Sequence, residues 1–275
     1  MFKNIYLPVV LLTFFSCAKK ITEERTSYFP KQHKQTTISA PKEKVWVFIM
    51  AGQSNMAGRG FVEPQDTLTN NRIYSINQAG ELVLAKEPLH FYEPNLTGLD
   101  CGRSFALALL GKIPDDVSIL MIPTAVGGSA ISQWLNDETY RNVTLLSNFK
   151  EKVTLGKSFG TVKGVLWHQG ESDSNPKDIP HYQDRLQTLF SVFRSIISNP
   201  TLPIIAGELG SYSENKIGWQ KINDAMHKCV EKDPFAASIS TKDLKHKGDL
   251  IHFDSKGQRE IGKRFAMAYI QKFLK

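Results

Sequence analysis

The run Val45-Trp-Val-Phe-Ile-Met50 limits what this chain can fold into more than any other stretch. Apolar residues at every position, rather than at alternate ones, describe a strand covered on both faces, the pattern of a parallel sheet between two helical layers. The run stops at Ala51-Gly52, small residues that permit a sharp turn, and Ser54 follows where a helical turn can begin. In an open α/β sheet, ligands bind at that edge. A serine there has its hydroxyl exposed and backbone N–H groups close by. On this stretch alone Ser54 serves equally well as a helix cap, since Ser and Asn are good cap residues.

Later apolar runs repeat the pattern. Residues 117–122 end in Pro123-Thr-Ala-Val-Gly-Gly-Ser129, residues 162–167 in His168-Gln-Gly-Glu-Ser-Asp173, and residues 202–206 in Gly207-Glu208. Between them, 102–110 reads as a helix. Tyr182, Leu186, Leu189, Phe190, Phe193 and Ile197 recur at helical spacing over 180–198. Residues 218–231 suit another helix, and 255–273 a last one, with Ile261, Phe265, Ala268 and Phe273 on one side and Ser255 as its cap. Strands alternating with helices predict right-handed crossovers and one three-layer α/β/α sandwich with a parallel sheet. Residues 60–100, with Pro64, Pro88, Pro94 and only short apolar pieces such as 72–76, read as a long irregular insertion. A loop of that size inside a compact domain is usually functional.

At 275 residues, 41% of them hydrophobic, the chain can bury a core for one large domain. The net charge of +7 suggests a nucleic-acid partner, but eight Lys and Arg against three Glu fall within the first 45 residues, leaving the rest near neutral. A nucleic-acid groove carries its charge on the folded face, so nucleic acid is excluded as a partner. Lys3 followed by the apolar stretch 5–15 has the layout of an export signal, too short to span a bilayer. It ends Phe14-Phe15-Ser16-Cys17 and resembles a bacterial lipoprotein signal, with Phe14 where Leu is usual. That resemblance assigns 1–17 to a signal peptide and Cys17 to lipidation. It places the protein in the exported cell envelope, anchored to the membrane by lipid in the periplasm or at the cell surface. An ordinary secretory signal cut nearby is the alternative. Residues 18–43 are polar and aperiodic, a flexible tether ahead of a domain at 44–275. Export permits a disulfide between Cys101 and Cys229, and two buried free thiols fit as well.

A serine attacks an ester only when a base takes its proton, a partner orients the base, and donors meet the tetrahedral oxyanion. Ser54 supplies the nucleophile and His252 the base. Asp249, three residues before His252, has a spacing that folds its carboxylate onto the imidazole Nδ1. The candidate oxyanion donors are the N–H of Ser54, an N–H at Gly127 or Gly128, and the side-chain amide of Gln169. His168 and Glu171 lack the helical HExxH spacing and a third ligand, so no metal or other cofactor is called for. Trp134 and Trp167 read as core, with Trp134 also a candidate sugar platform. Asn55, Arg59 and Asp173 are polar residues near the same edge, and Asp254 fits a capping role.

In this order, Gly52-Gln-Ser-Asn-Met56, Gly127-Gly-Ser129, His168-Gln-Gly-Glu171 and Asp249-x-x-His252 resemble the SGNH-type carbohydrate esterases. More narrowly they are similar to the sialate O-acetylesterase / acetylxylan esterase family, over about residues 45–272. The resemblance implies a flavodoxin-like SGNH fold, an acetylated carbohydrate as substrate, and metal-independent deacetylation through an acetyl-serine intermediate. It carries over Ser54 and His252 as catalytic residues, and Gln169 stands where general SGNH hydrolases place an oxyanion Asn. The triad acid is Asp249 or Glu171, with Asp249 ranked first because a local partner costs less ordering entropy. Gln53, Asn55, His168 and Trp134 are the expected substrate contacts. A lipase, thioesterase or peptidoglycan O-acetylesterase on the same scaffold, or a carbohydrate-binding protein without turnover, are the rival functions.

Overall fold

Strand β1 (Val45–Gly52) lies at the centre of a seven-stranded sheet in the computed structural model, which describes residues 25–274. The signal assigned to 1–17, the lipidation site Cys17 and the start of the tether lie outside the described residues. Beside β1 run β4 (Ser118–Pro123) and β7 (Thr161–His168), both parallel to it, with Met50 opposite Pro123 and Gly52 opposite His168. The other strands of this sheet are β2 (Ile73–Ile76), β3 (Leu82–Leu84), β8 (Ile204–Gly207) and β9 (Ala236–Ile239), while β5 (Thr139–Tyr140) and β6 (Val143–Thr144) pair separately as a small hairpin. The full order is β3-β2-β4-β1-β7-β8-β9. The five strands β1, β4, β7, β8 and β9 stand in the flavodoxin-like order 2-1-3-4-5, and β2 and β3 extend the sheet beyond β4.

The double-sided burial follows from the pleat. Val45, Val47, Ile49 and Ala51 enter one apolar layer, and Phe48 and Met50 the other. The first layer is closed by α3 (Ile131–Leu135), α4 (Leu145–Phe159), α5 (Ile179–Ile197) and α6 (Lys216–Glu231), which supply Trp134, Phe149, Phe193 and Trp219. The second is closed by α2 (Gly102–Leu110) and α7 (Ser255–Phe273). Phe48 meets the rings of Phe105 and Tyr269 edge-on at 4.8 and 5.1 Å. Such pairs add about 0.5–1.5 kcal/mol to the hydrophobic gain of burial. Cys101 and Cys229 belong to opposite layers, and both are free, buried thiols.

Several expectations change at the edges. The stretch 60–100 is not wholly irregular: β2 and β3 come from it, and β3 runs antiparallel to β2, so the sheet is mostly rather than wholly parallel. Residues 25–43, read as tether, carry contacts with the domain. Gln35 bridges to Val83, and the Thr36 N–H donates to the Leu82 carbonyl at 2.9 Å. These bonds cover the open edge of β3, whose free N–H and C=O groups would otherwise invite pairing. The last helix is capped by Asp254, not Ser255, through a 2.7 Å bond from the Gly257 N–H. Among the described residues, no helix is long and apolar enough to cross a membrane.

Candidate active site

Gly52 ends β1 with φ +137°, and a Cβ there would lie 2.1 Å from the His168 carbonyl oxygen. The chain therefore turns hard against β7, and the Gln53 N–H donates to that same carbonyl at 3.0 Å. The single turn α1 (Ser54–Ala57) follows, closed by bonds from the Met56 and Ala57 N–H groups to the Gln53 carbonyl. Ser54 Oγ stands 3.0 Å from His252 Nε2, and His252 Nδ1 donates to Asp249 Oδ2 at 2.7 Å. The other carboxylate oxygen, Oδ1, accepts the N–H groups of Ile251 and His252 at 3.0 and 2.8 Å. Asp249 thus shapes the turn that presents the histidine as well as orienting its ring. Burial pushes the Asp249 carboxyl up, but the bonds from His252 and Ile251 outweigh it and hold it below its ordinary value. Burial drives His252 below the ordinary imidazole value, opposed by Asp249 and reinforced by the charges of Lys247 and Arg59. The ring is therefore neutral near pH 7, the form a base requires.

Beside the end of β1 runs the loop after β4, whose Val126 N–H donates to the Gly52 carbonyl at 3.1 Å. Gly128 has φ +82°, and its N–H, like that of Ser54, makes no hydrogen bond to another described residue. The Gly127 N–H differs from the expectation, because it donates to Glu93 Oε2 at 2.6 Å and is unavailable to an oxyanion. Arg59 donates to the same oxygen at 2.7 Å, and Arg141 pairs with Glu93 Oε1. Arg59 and Glu93 are 5% and 7% exposed, so their charges are matched inside the protein. Burial raises the Glu93 carboxyl, and the two arginines with the Gly127 N–H more than reverse that. From below, His90 Nε2 accepts the Ala125 N–H at 3.3 Å while its Nδ1 donates to Asp100 at 2.8 Å. Both Glu93 and His90 come from the 60–100 insertion, whose role at the site is to hold this loop.

The side chain of Gln169 does not point to an oxyanion. Its Nε2 donates to Gln53 Oε1 and the Ser129 carbonyl, both at 3.1 Å, and to Asp173 Oδ2, while its Oε1 accepts the Tyr182 hydroxyl. Two amide hydrogens are spent on three buried acceptors, leaving none for a substrate. Gln53 is likewise internal: its Oε1 also accepts the N–H groups of Gly170 and Ser172, both at 3.3 Å. His168 is 1% exposed, donates from Nε2 to the Glu208 carbonyl at 2.9 Å, and is driven by burial to about 4, so it is a neutral core histidine rather than a substrate contact. Trp134 is fully buried with its Nε1–H on Ser129 Oγ, and so serves the core.

Asn55 is buried as well, bonded to Glu171, Ile251 and Phe253 rather than open to a sugar. Glu171 does not reach His252 Nδ1, which Asp249 occupies. Its Oε1 accepts from Asn55 at 2.6 Å, and its Oε2 is buried without a partner. Burial raises this carboxyl to about 7, against the Asn55 bond and with help from Asp173. Asp173 accepts the Ile131 N–H at 2.9 Å and anchors α3. The sequence reading missed Glu93, His90 and Lys247, none of which sits in a recognisable motif, and it read Tyr182 only as part of a helix's core face, not as a partner of Gln169. Lys247 lies 3.7 Å from Asp249 Oδ2 and donates to the Arg59 carbonyl at 3.1 Å. Among the described residues, no group of three His, Cys, Asp or Glu side chains is placed to hold a metal ion.

Comparison with known proteins gives the family and the fold. The family described as "carbohydrate esterase, sialic acid-specific acetylesterase" matches residues 44–271. A probable carbohydrate esterase of Arabidopsis thaliana is 28% identical over 262 residues, covering 86% of this chain and 94% of its own. The crystal structure of that plant protein superposes with a TM-score of 0.73 at 27% identity, over 83% of this chain and 98% of that one. NanS shares the fold at 18% identity and a TM-score of 0.67, over 85% of this chain and 98% of its own. A carbohydrate acetylesterase from Xanthomonas citri shares it at 20% and 0.62, over 83% of this chain and 56% of that one. The chain belongs to the sialic acid-specific acetylesterase family of carbohydrate esterases and is a serine-dependent carboxylic ester hydrolase.

Proposed function

We propose that this enzyme removes acetyl groups from sugar hydroxyls through an acetyl-Ser54 intermediate. The observation that carries the reading is the unbroken line from Ser54 Oγ through the imidazole of His252 to the Asp249 carboxylate, at 3.0 and 2.7 Å. His252 takes the Ser54 proton as Oγ attacks the acetyl carbon. The N–H groups of Ser54 and Gly128 receive the oxyanion, a contribution of about 3–4 kcal/mol per donor in comparable sites. His252 then hands its proton to the departing sugar oxygen. A water activated by the same ring hydrolyses the acetyl-enzyme, and Asp249 stabilises the imidazolium at each stage. Membership of the family and the acetylesterase among the structural neighbours support a small acyl group and a sugar leaving group.

Acetate release from acetylated xylan, sialic acid and peptidoglycan, with short and long acyl esters alongside, tests this reading. The wild type is expected to favour acetyl esters of sugars and to keep its rate in the presence of a chelator. Ser54→Ala should lose at least about 10³-fold in kcat with an unchanged circular-dichroism spectrum. A Ser54→Ala protein as fast as the wild type would sink the mechanism, and a preference for long acyl chains would move the activity to lipids. We also propose that the enzyme works in the cell envelope, anchored by lipid at Cys17. The apolar stretch 5–15 ending at Ser16-Cys17 supports this. Labelled fatty acid should enter the wild type and not Cys17→Ala.

A further inference from the structure

We propose that Asn55 and Glu171 form one positioning pair that holds the His252 loop against the Ser54 hydroxyl, Glu171 acting through Asn55 and not on His252. This rests on the esterase reading of the Ser54–His252 pair. Asn55 follows the nucleophile directly and is 2% exposed. Its Nδ2 donates to the Ile251 carbonyl and its Oδ1 accepts the Phe253 N–H, each at 3.1 Å. One short side chain thus grips the backbone immediately before and immediately after His252. The Asn55 backbone is pinned in turn, its carbonyl accepting Gln258 Nε2 of α7 at 3.0 Å.

An amide can make both loop bonds in one orientation only, since a flipped Asn55 would set its donors against the Phe253 N–H. Glu171 selects that orientation, because its Oε1 accepts the remaining Nδ2 hydrogen at 2.6 Å. Glu171 is itself fixed from both sides in sequence, where Gln53 Oε1 takes the N–H groups of Gly170 and Ser172. The chain of contacts runs from the end of β7 through Glu171 and Asn55 to the histidine turn, without touching the imidazole. A misplacement of about 1 Å between nucleophile and base costs on the order of 10²-fold in rate. A carboxylate that is buried, bonded to an asparagine and not hydrogen-bonded to the base is explained by that geometric task.

Kinetics with 4-nitrophenyl acetate and hydrogen exchange of residues 251–253, both on the full chain, test the pair. Asn55→Ala should lower kcat by about 10²-fold with KM within about twofold, and should speed exchange at 251–253. Glu171→Gln keeps an Oε1 acceptor, so its kcat should stay within about fivefold of wild type with exchange unchanged. Glu171→Ala should lose about tenfold or more in kcat and speed exchange. The proposal is overturned if Glu171→Gln is as damaging as Asp249→Asn, for then Glu171 acts directly. It is overturned equally if Asn55→Ala keeps the wild-type kcat, or if exchange at 251–253 is the same in all variants. Should Asn55→Ala not fold, the contrast between Glu171→Ala and Glu171→Gln decides. A wild type inert toward acetyl esters would sink the esterase reading alone, and the exchange data would still decide whether the pair holds the loop.

Discussion

Lys247 has its ammonium 3.7 Å from the Asp249 oxygen that orients His252. Its charge opposes protonation of the imidazole, as does that of Arg59. In the proposed mechanism His252 must be neutral to take the Ser54 proton, so the acid limb of kcat/KM should report its protonation in the free enzyme. Burial places that limb below the ordinary imidazole range. Removing the Lys247 charge should raise the His252 pKa and move the limb to higher pH. The pH profile of Lys247→Met measures this, and a limb that stays in place or moves down would refute it. Lys247 also donates to the Arg59 carbonyl, so Lys247→Gln, which retains a donor, separates the charge from the bond.

The site exists because β1 and β7 end at the same level and touch. Gly52 makes that possible, with its missing Cβ 2.1 Å from the His168 carbonyl and φ at +137°. Gly52→Ala must push the two strand ends apart, carrying Ser54 away from the 168–173 turn. We expect a loss of about 3–5 kcal/mol in stability together with most of the activity. Gly80, in the turn between β2 and β3, is the control. It too has a positive φ, +79°, but an added Cβ would meet only Leu155 at 3.5 Å. Gly80→Ala should cost about 1–2 kcal/mol and leave kcat alone. Thermal melts and steady-state rates of the two variants settle the comparison, and equal losses would show that strand contact is not what Gly52 provides.

The whole molecule's stability responds to two buried groups near the site in opposite senses. His168 is driven to about 4, so the stability it contributes is present above pH 6.5 and is lost as pH falls through 4. Glu171 is raised to about 7 from 4.5, so its contribution is present below pH 4.5 and is lost as pH rises through 7. Between pH 4.5 and 6.5 the two slopes oppose each other. Glu171→Gln removes one of them and keeps the shape. Its Tm should exceed that of the wild type by a few degrees, roughly 2–6 °C, at pH 8 and match it at pH 4. Melts across that range check the prediction, and an advantage that grows toward low pH would contradict it.

Much of this protein was legible before folding because the relevant physics is local. Apolar runs broken by Gly-rich turns identify buried strands and the edge where they end, and Asp249 reaches His252 across three residues of one turn. Four of the five flavodoxin-ordered strands, all but β9, and the pairing of Asp249 with His252 follow from such signals. Short strands such as β2, β3 and β9 carry too few residues to show a period, and β3 takes its antiparallel direction from its neighbour. The roles of Gln169, Glu171, Gly127 and Glu93 were not legible. Each depends on a polar atom supplied from far along the chain, 34 residues away for Glu93 on Gly127 and 116 for Asn55 on Glu171 and Gln53 on Gln169. The sequence by itself determined the layers and the edge, and singled out Ser54 as the candidate nucleophile. Tertiary structure alone decided which buried donors are already spent, because hydrogen-bond satisfaction is a property of the assembled interior and leaves no periodic trace in the chain.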